Sequence, residues 1–194
     1  MSVFRGMRKH RKREYLTQDE IEKLLAADKA VTRNPERDYC MLLLMFRHGL
    51  RVSELCSIKL SDVNLEAAEF HVPRLKGSDD GVHPFYNGES VAIRTWLTER
   101  AKLNPPDEVE ELFISERRKA LSRVTVWLMV KQVAAAAGLE TLDVHPHSLR
   151  HSCGYSLVNR GTDIRVIQSF LGHRSISSTV RYTKLDSRRF AKLF

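Results

Sequence analysis

No apolar run in the 194 residues approaches the roughly 20 needed to cross a bilayer. The basic opening is not followed by an apolar h-region, so a secretory leader is not indicated. Cysteine is scarce: Cys40, Cys56 and Cys153 are odd in number and scattered through apolar or helical surroundings. That argues against a disulfide framework and against a CxxC metal site, and it suits buried thiols in a reducing cytosol. Internal repeats and low-complexity tracts are also missing. These absences predict a soluble cytoplasmic protein. With 42% hydrophobic residues, the chain can build one sizeable core, and two small domains fit less well.

Positive charge is present in excess, at +8, and it is uneven. Arg5, Arg8, Lys9, Arg11, Lys12 and Arg13 stand against Glu14 in the first fourteen residues, which lack apolar periodicity and read as a flexible basic arm. From His145 to Phe194, nine Lys and Arg face only Asp163 and Asp186. The middle of the chain is therefore negative. Cations gathered at both ends suit a polyanion such as nucleic acid, although a basic surface also serves solubility.

Between the ends the pattern is mostly helical. Thr17 to Glu20 is a capping box ahead of Ile21, Leu24 and Leu25. Asn34-Pro35 should cap a second helix, and the apolar run from Cys40 to Phe46 predicts that it is central and buried. Gly49 breaks it, and a short helix is expected over 53–58. Alternation over 69–75 and 82–85, around a turn-rich KGSDDG, predicts a hairpin. Helices are then expected from about Val91, over 121–138, over 147–159 and from Asp163 to Leu171. Between them, 112–115 should be a short strand or extended segment. A last turn carries Tyr182. The fold class is mainly α with a small antiparallel β-sheet (α+β). The expected divisions are a basic arm at 1–14, a domain at 15–185 and a tail at 186–194.

Several segments carry unusual chemistry. In HGLRVSEL, Arg51 follows a glycine stop, where its fork can meet an oxyanion while Glu54 steadies it. Lys76 stands at the hairpin mouth, a common place from which lysine reaches a ligand. In HPHSLRHSCG, residues 147, 150 and 151 share one side of a helix. His147 and His151 have zinc-like spacing but lack the adjacent glutamate of a metallohydrolase. His147 and Arg150 could instead polarise a phosphate. His173 follows the glycine stop Gly172, and Tyr182 comes nine residues later. Taken singly, each has an ordinary explanation as packing or surface. A tyrosine hydroxyl, with an unperturbed pKa near ~10, needs surrounding cations and a proton donor to attack phosphorus, and this set could supply both.

The ordered set Arg51, Lys76, His147-x-x-Arg150, Gly172-His173 and Tyr182 resembles the tyrosine recombinase (phage integrase) family. The likeness extends from Thr17 to about Lys184, and HSLRHSCG and LGHRSISSTVRY are its most specific parts. Within the family the chain is similar to the short fimbrial phase-variation invertases, the FimB/FimE group. Most members carry a separate N-terminal DNA-clamping domain; this sequence, like the short invertases, offers only the arm and one capped helix ahead of the catalytic segments.

The resemblance implies that Tyr182 is the nucleophile of a metal- and ATP-independent strand exchange through a 3′-phosphotyrosyl link, with no cofactor. It implies that Arg51 and Arg150 clamp the phosphate, Lys76 protonates the leaving 5′-oxygen, His147 assists proton transfer at the tyrosine, His173 bonds the phosphate, and Glu54 supports. The expected partners are double-stranded DNA with inverted-repeat sites, further protomers in a synaptic tetramer, and DNA-bending accessory proteins, in a bacterial, nucleoid-associated setting. Arg5, Arg8, Lys9, Arg11, Lys12, Arg13, Arg174 and Arg181 are the expected DNA contacts. The tail from Ser187 to Phe194 is expected either to dock on a neighbour or to fray. Two alternatives stay open: a non-catalytic regulator using 163–182 as a helix-turn-helix, and a type IB topoisomerase-like enzyme.

Overall fold

The computed structural model describes residues 13–74 and 81–183, without the side chains of 28–30. Eight α-helices and one three-stranded antiparallel sheet occur among them: α1 (Gln18–Val31), α2 (Pro35–His48), α3 (Val52–Ser57), β1 (Val63–Asn64), β2 (Glu69–Val72), β3 (Gly81–Pro84), α4 (Glu89–Lys102), α5 (Arg123–Ala136), α6 (Pro146–Asn159), α7 (Ile164–Leu171) and α8 (Ile176–Val180). A single 3-10 turn, Arg181–Thr183, carries Tyr182.

Helix α2 is the axle. Cys40, Met41, Leu42, Leu43, Leu44 and Met45 are all buried, because α1, α4 and α6 pack around it. A helix apolar on every face can only be stable when surrounded in this way. Its start has Pro35 in the first turn with Glu36 and Asp38, and its end has Arg47, His48 and a left-handed Gly49. Charge and backbone therefore agree at both termini. Asn34 does not cap it: its side chain donates to Glu116 at 2.5 Å instead. The Thr17–Glu20 box closes as expected, with both reciprocal bonds made.

In the sheet the order is β1-β2-β3, with Phe70 opposite His83. β2 ends at Val72, earlier than alternation suggested, and β1 is an added edge of two residues. Leu112 to Ser115 forms no strand; isolated bridges Lys59–Glu111 and Ile114–Ala120 hold that stretch. The chain fills a main core, plus a smaller cluster of Cys153, Val158, Ile167, Leu171 and Tyr182 where α6, α7 and the last turn meet. No helix among the described residues is long and apolar enough to cross a membrane.

Candidate active site

Three chain turns bring the site together. Gly49, at φ +59, reverses the chain after α2 and sets Arg51 at the N-cap of α3. Pro146 opens α6, so Arg150 falls on its inner face, 1% exposed. Asp163 caps α7 through the amides of Arg165 and Val166, and Gly172, at φ +61, ends it. The carbonyls at that end face the arginines. Arg51 donates to Gly172 O at 3.1 Å, Arg150 to Leu171 O at 2.6 Å, and Arg74 to Phe170 O. Three consecutive carbonyls at the negative end of a helix thus each hold one guanidinium, an arrangement favoured by both hydrogen bonding and the helix dipole.

Glu54 supplies the counter-charge. It is fully buried and accepts from the Arg51 amide at 2.7 Å, the Arg51 guanidinium at 2.5 Å and Arg74 at 3.1 Å; Arg150 lies 3.9 Å away. One carboxylate among three cations leaves a net positive pocket. Burial and then the nearby Arg51 pull the Arg150 pKa down to about 10, so it stays charged at neutral pH. Arg51 is the open member, with a quarter of its side chain exposed.

The histidines surround this clamp. His147 remains open to solvent, yet the atoms crowded about it, and then Arg150, lower its pKa. A groove of about 430 Å³ opens beside it, lined also by Val52, Arg123 and Trp127. His173 bonds Thr179 Oγ1 at 2.8 Å, and burial followed by Arg150 pushes its pKa down to about 4. His147 and His151 lie edge to face at 5.0 Å, but no group of three His, Cys, Asp or Glu suited to a metal exists among the described residues.

Tyr182 is placed differently from the expectation of a presented nucleophile. It is 3% exposed, and its hydroxyl meets His151 Nδ1 at 3.1 Å. Burial, first, and then Arg181 push the His151 pKa down to about 3. At neutral pH the imidazole is therefore uncharged, and it shares one hydrogen bond with the phenol. Burial likewise raises the Tyr182 pKa, against Arg150 and Arg181. Its ring stacks near His173 and sits over Gly154, where an added Cβ would come within 2.6 Å of the ring. His151, rather than His147, is the histidine on the hydroxyl.

Lys76 and the arm residues Arg5, Arg8, Lys9, Arg11 and Lys12 lie outside the described residues, as does the tail at 186–194. Arg13 pairs with Glu20 at 2.5 Å, Arg181 with Glu14 at 2.5 Å, and Arg174 is exposed. Sequence reasoning missed Arg74. No spacing sets it apart from other arginines, and its position two residues before Lys76 was the only hint. The spacing of His151 from His147 suggests only zinc, and its contact with the tyrosine leaves no mark in the sequence.

The phage integrase family model matches residues 14–189. The Type 1 fimbriae regulatory proteins FimE and FimB of Escherichia coli K12 are 41% and 43% identical over 183 residues. These matches cover 94% and 93% of this chain, and 91% and 89% of those proteins. The crystal structure of XerA recombinase superposes with a TM-score of 0.80 at 31% identity, covering 92% of this chain and 63% of that one. The arginine clamp, the buried tyrosine and these matches lead to one conclusion: the chain belongs to the phage integrase family, as a tyrosine-type site-specific recombinase.

Proposed function

We propose that Tyr182 attacks a phosphodiester of duplex DNA, forming a 3′-phosphotyrosyl link and releasing a 5′-hydroxyl. Attack forms the Tyr182 oxygen–phosphorus bond as the 5′-oxygen–phosphorus bond breaks, and the reverse step rejoins a strand. Bond energy is retained, so no nucleotide cofactor is required. Arg51 and Arg150 take the non-bridging oxygens, where guanidinium forks best stabilise charge gathering in the transition state. Lys76 protonates the leaving oxygen, a general-acid role worth roughly 10²–10⁴ in rate. His173 bonds the phosphate, and His147, beside the groove, assists proton transfer. Tyr182, 3% exposed against Gly154 and His151, must be uncovered before a duplex phosphate can meet its oxygen.

The observation that carries this reading is the sharing of Glu54 and the α7 carbonyls by Arg51 and Arg150, with Tyr182 packed against the same helix pair. Likeness to FimE and FimB supports a role in inverting a promoter-bearing segment that controls fimbriae. The substrates would be inverted-repeat sites, paired by a tetramer, with DNA-bending proteins assisting. Arg174, Arg181 and the arm would hold phosphates. The test is incubation with inverted-repeat DNA. A protein–3′-DNA adduct should form with the native chain and vanish in Tyr182→Phe, which should still bind; an adduct surviving in that variant would refute the nucleophile. Exchange between two marked sites, rather than relaxation alone, separates recombination from topoisomerase action.

A further inference from the structure

A chain of buried polar groups runs from Arg74 away from the clamp. Arg74, with its side chain 1% exposed, reaches His83 Nε2 at 3.2 Å. His83 Nδ1 meets His48 Nδ1 at 3.1 Å, and His48 Nε2 meets Glu89 at 3.1 Å. His48 and Glu89 are fully buried, and His83 is 4% exposed. Only one assignment of protons satisfies every contact. An arginine has no lone pair to offer, so His83 Nε2 accepts from Arg74 and His83 Nδ1 carries the hydrogen. His48 Nδ1 must then accept, leaving its Nε2–H to donate to the Glu89 carboxylate. Glu89 also accepts the Tyr86 amide at 2.7 Å, which ties the series to the start of α4.

We propose that Arg74 is a positioning residue for the phosphate clamp, held in register by the His83–His48–Glu89 relay. Too buried to touch DNA itself, it bridges Glu54 and Phe170 O. It thereby fixes the carboxylate that orients Arg51 and the helix end that orients Arg51 and Arg150. The relay holds Arg74 from behind: two neutral imidazoles join it to a second buried carboxylate, carried by α4. Gly172 completes the fit, since a Cβ there would lie 2.9 Å from Arg74 Nε. Glu89 Oε1 makes no hydrogen bond and lies 3.5 Å from the Arg47 guanidinium, but the bonds along the relay still restrict Arg74 to few geometries, which is what a charge-stabilising site requires.

The inference rests on the recombinase chemistry proposed above, and the test separates the two. Single-turnover adduct formation is followed at saturating DNA on two substrates, a normal phosphodiester and one whose scissile phosphate is an uncharged methylphosphonate. No adduct with the native chain on the normal substrate would sink the chemistry; a native adduct leaves the relay to be judged. Misplaced guanidiniums matter only where charge must be stabilised. Arg74→Met should therefore slow the normal substrate about 10- to 100-fold and the methylphosphonate less than about threefold. The ratio within one preparation does not depend on how much of it is folded. His83→Gln, which can still accept from Arg74 and donate to His48, should keep the native ratio, while His83→Leu should shift it as Arg74→Met does. If Arg74→Met cannot be purified, the His83 pair decides alone. Rates within about twofold of native in Arg74→Met or His83→Leu, or equal losses on both substrates, would overturn the proposal.

Discussion

The clamp and the seat of Tyr182 lie against the same two helices, α6 and α7, but are built on opposite principles. In the clamp, Arg51, Arg74 and Arg150 each hold a carbonyl at the C-terminal end of α7 or its Gly172 cap, and they share Glu54. Its geometry is set before any ligand arrives. Tyr182 sits on a single 3-10 turn in a small apolar cluster, and one bond from its hydroxyl to His151 is its polar anchor. The clamp is preorganised and the proposed nucleophile is stowed. For the proposed strand cleavage this division is useful: the charge-stabilising groups would need no reorganisation, while burial masks the Tyr182 oxygen.

The largest expected effect lies in the clamp. Glu54→Leu leaves three cations without their shared carboxylate in a buried pocket. Loss of about 3–5 kcal/mol is expected, the range for removing one partner of a buried pair; calorimetry against Glu54→Gln, which should lose less, measures it. A much smaller loss in Glu54→Leu would mean that the clamp is loose and the contrast false. The seat should lose less stability and respond differently in rate. In Gly154→Ala, the new methyl pushes on the Tyr182 ring, so stability should fall by about 1–3 kcal/mol, as for other overpacked sites. If the seat restrains the tyrosine, adduct formation per bound complex should rise rather than fall. A slower rate would mean that the buried position is itself productive.

Much of the clamp was legible because its parts lie on boundaries that sequence marks well. Gly49, Asp163 and Gly172 delimit helices and mark the places of Arg51 and His173, while Arg150 follows from its spacing to His147 and from the family resemblance. The hairpin and α7 followed from alternation and from the Asp163 cap. Asn34 misled because its position matches a cap, while its amide found Glu116 across the fold. β1 is two residues long and leaves no periodic trace. Arg74 and the His48–His83–Glu89 relay were illegible for a deeper reason: their partners are 9 to 96 residues away in sequence, and nothing local marks a buried arginine. The stowing of Tyr182 was equally hidden, since only packing on Gly154 reveals it.

A middle-sized effect should appear with acid, and it touches both regions. Burial depresses His83 to about 3, while burial with nearby cations depresses His151 to about 3 and His173 to about 4, against an ordinary value of 6.5. Between those values the unfolded chain binds protons that the folded chain refuses. Stability is therefore complete above about pH 6.5 and declines as pH falls toward 4, by at most about 1.4 kcal/mol per pH unit for each fully buried group. His83→Gln should flatten part of this slope in thermal melts at pH 7 and pH 5. An unchanged slope would show that His83 is not held neutral and would weaken the relay as well.

The smallest effect concerns the edge of the seat, where Arg181 is bonded to Glu14. Both side chains are substantially exposed, so Arg181→Gln should cost no more than about 0.5 kcal/mol of stability in a urea melt. Its consequence on DNA should be plainer. If Arg181 exchanges Glu14 for a phosphate on binding, the variant should lower the slope of log affinity against log salt by about one, equally for cognate and unrelated duplexes. If Glu14 keeps its partner in the complex, the slope stays native. In that case the Glu14–Arg181 pair is a fixed strap beside Tyr182, and release of the nucleophile would have to proceed with this strap closed.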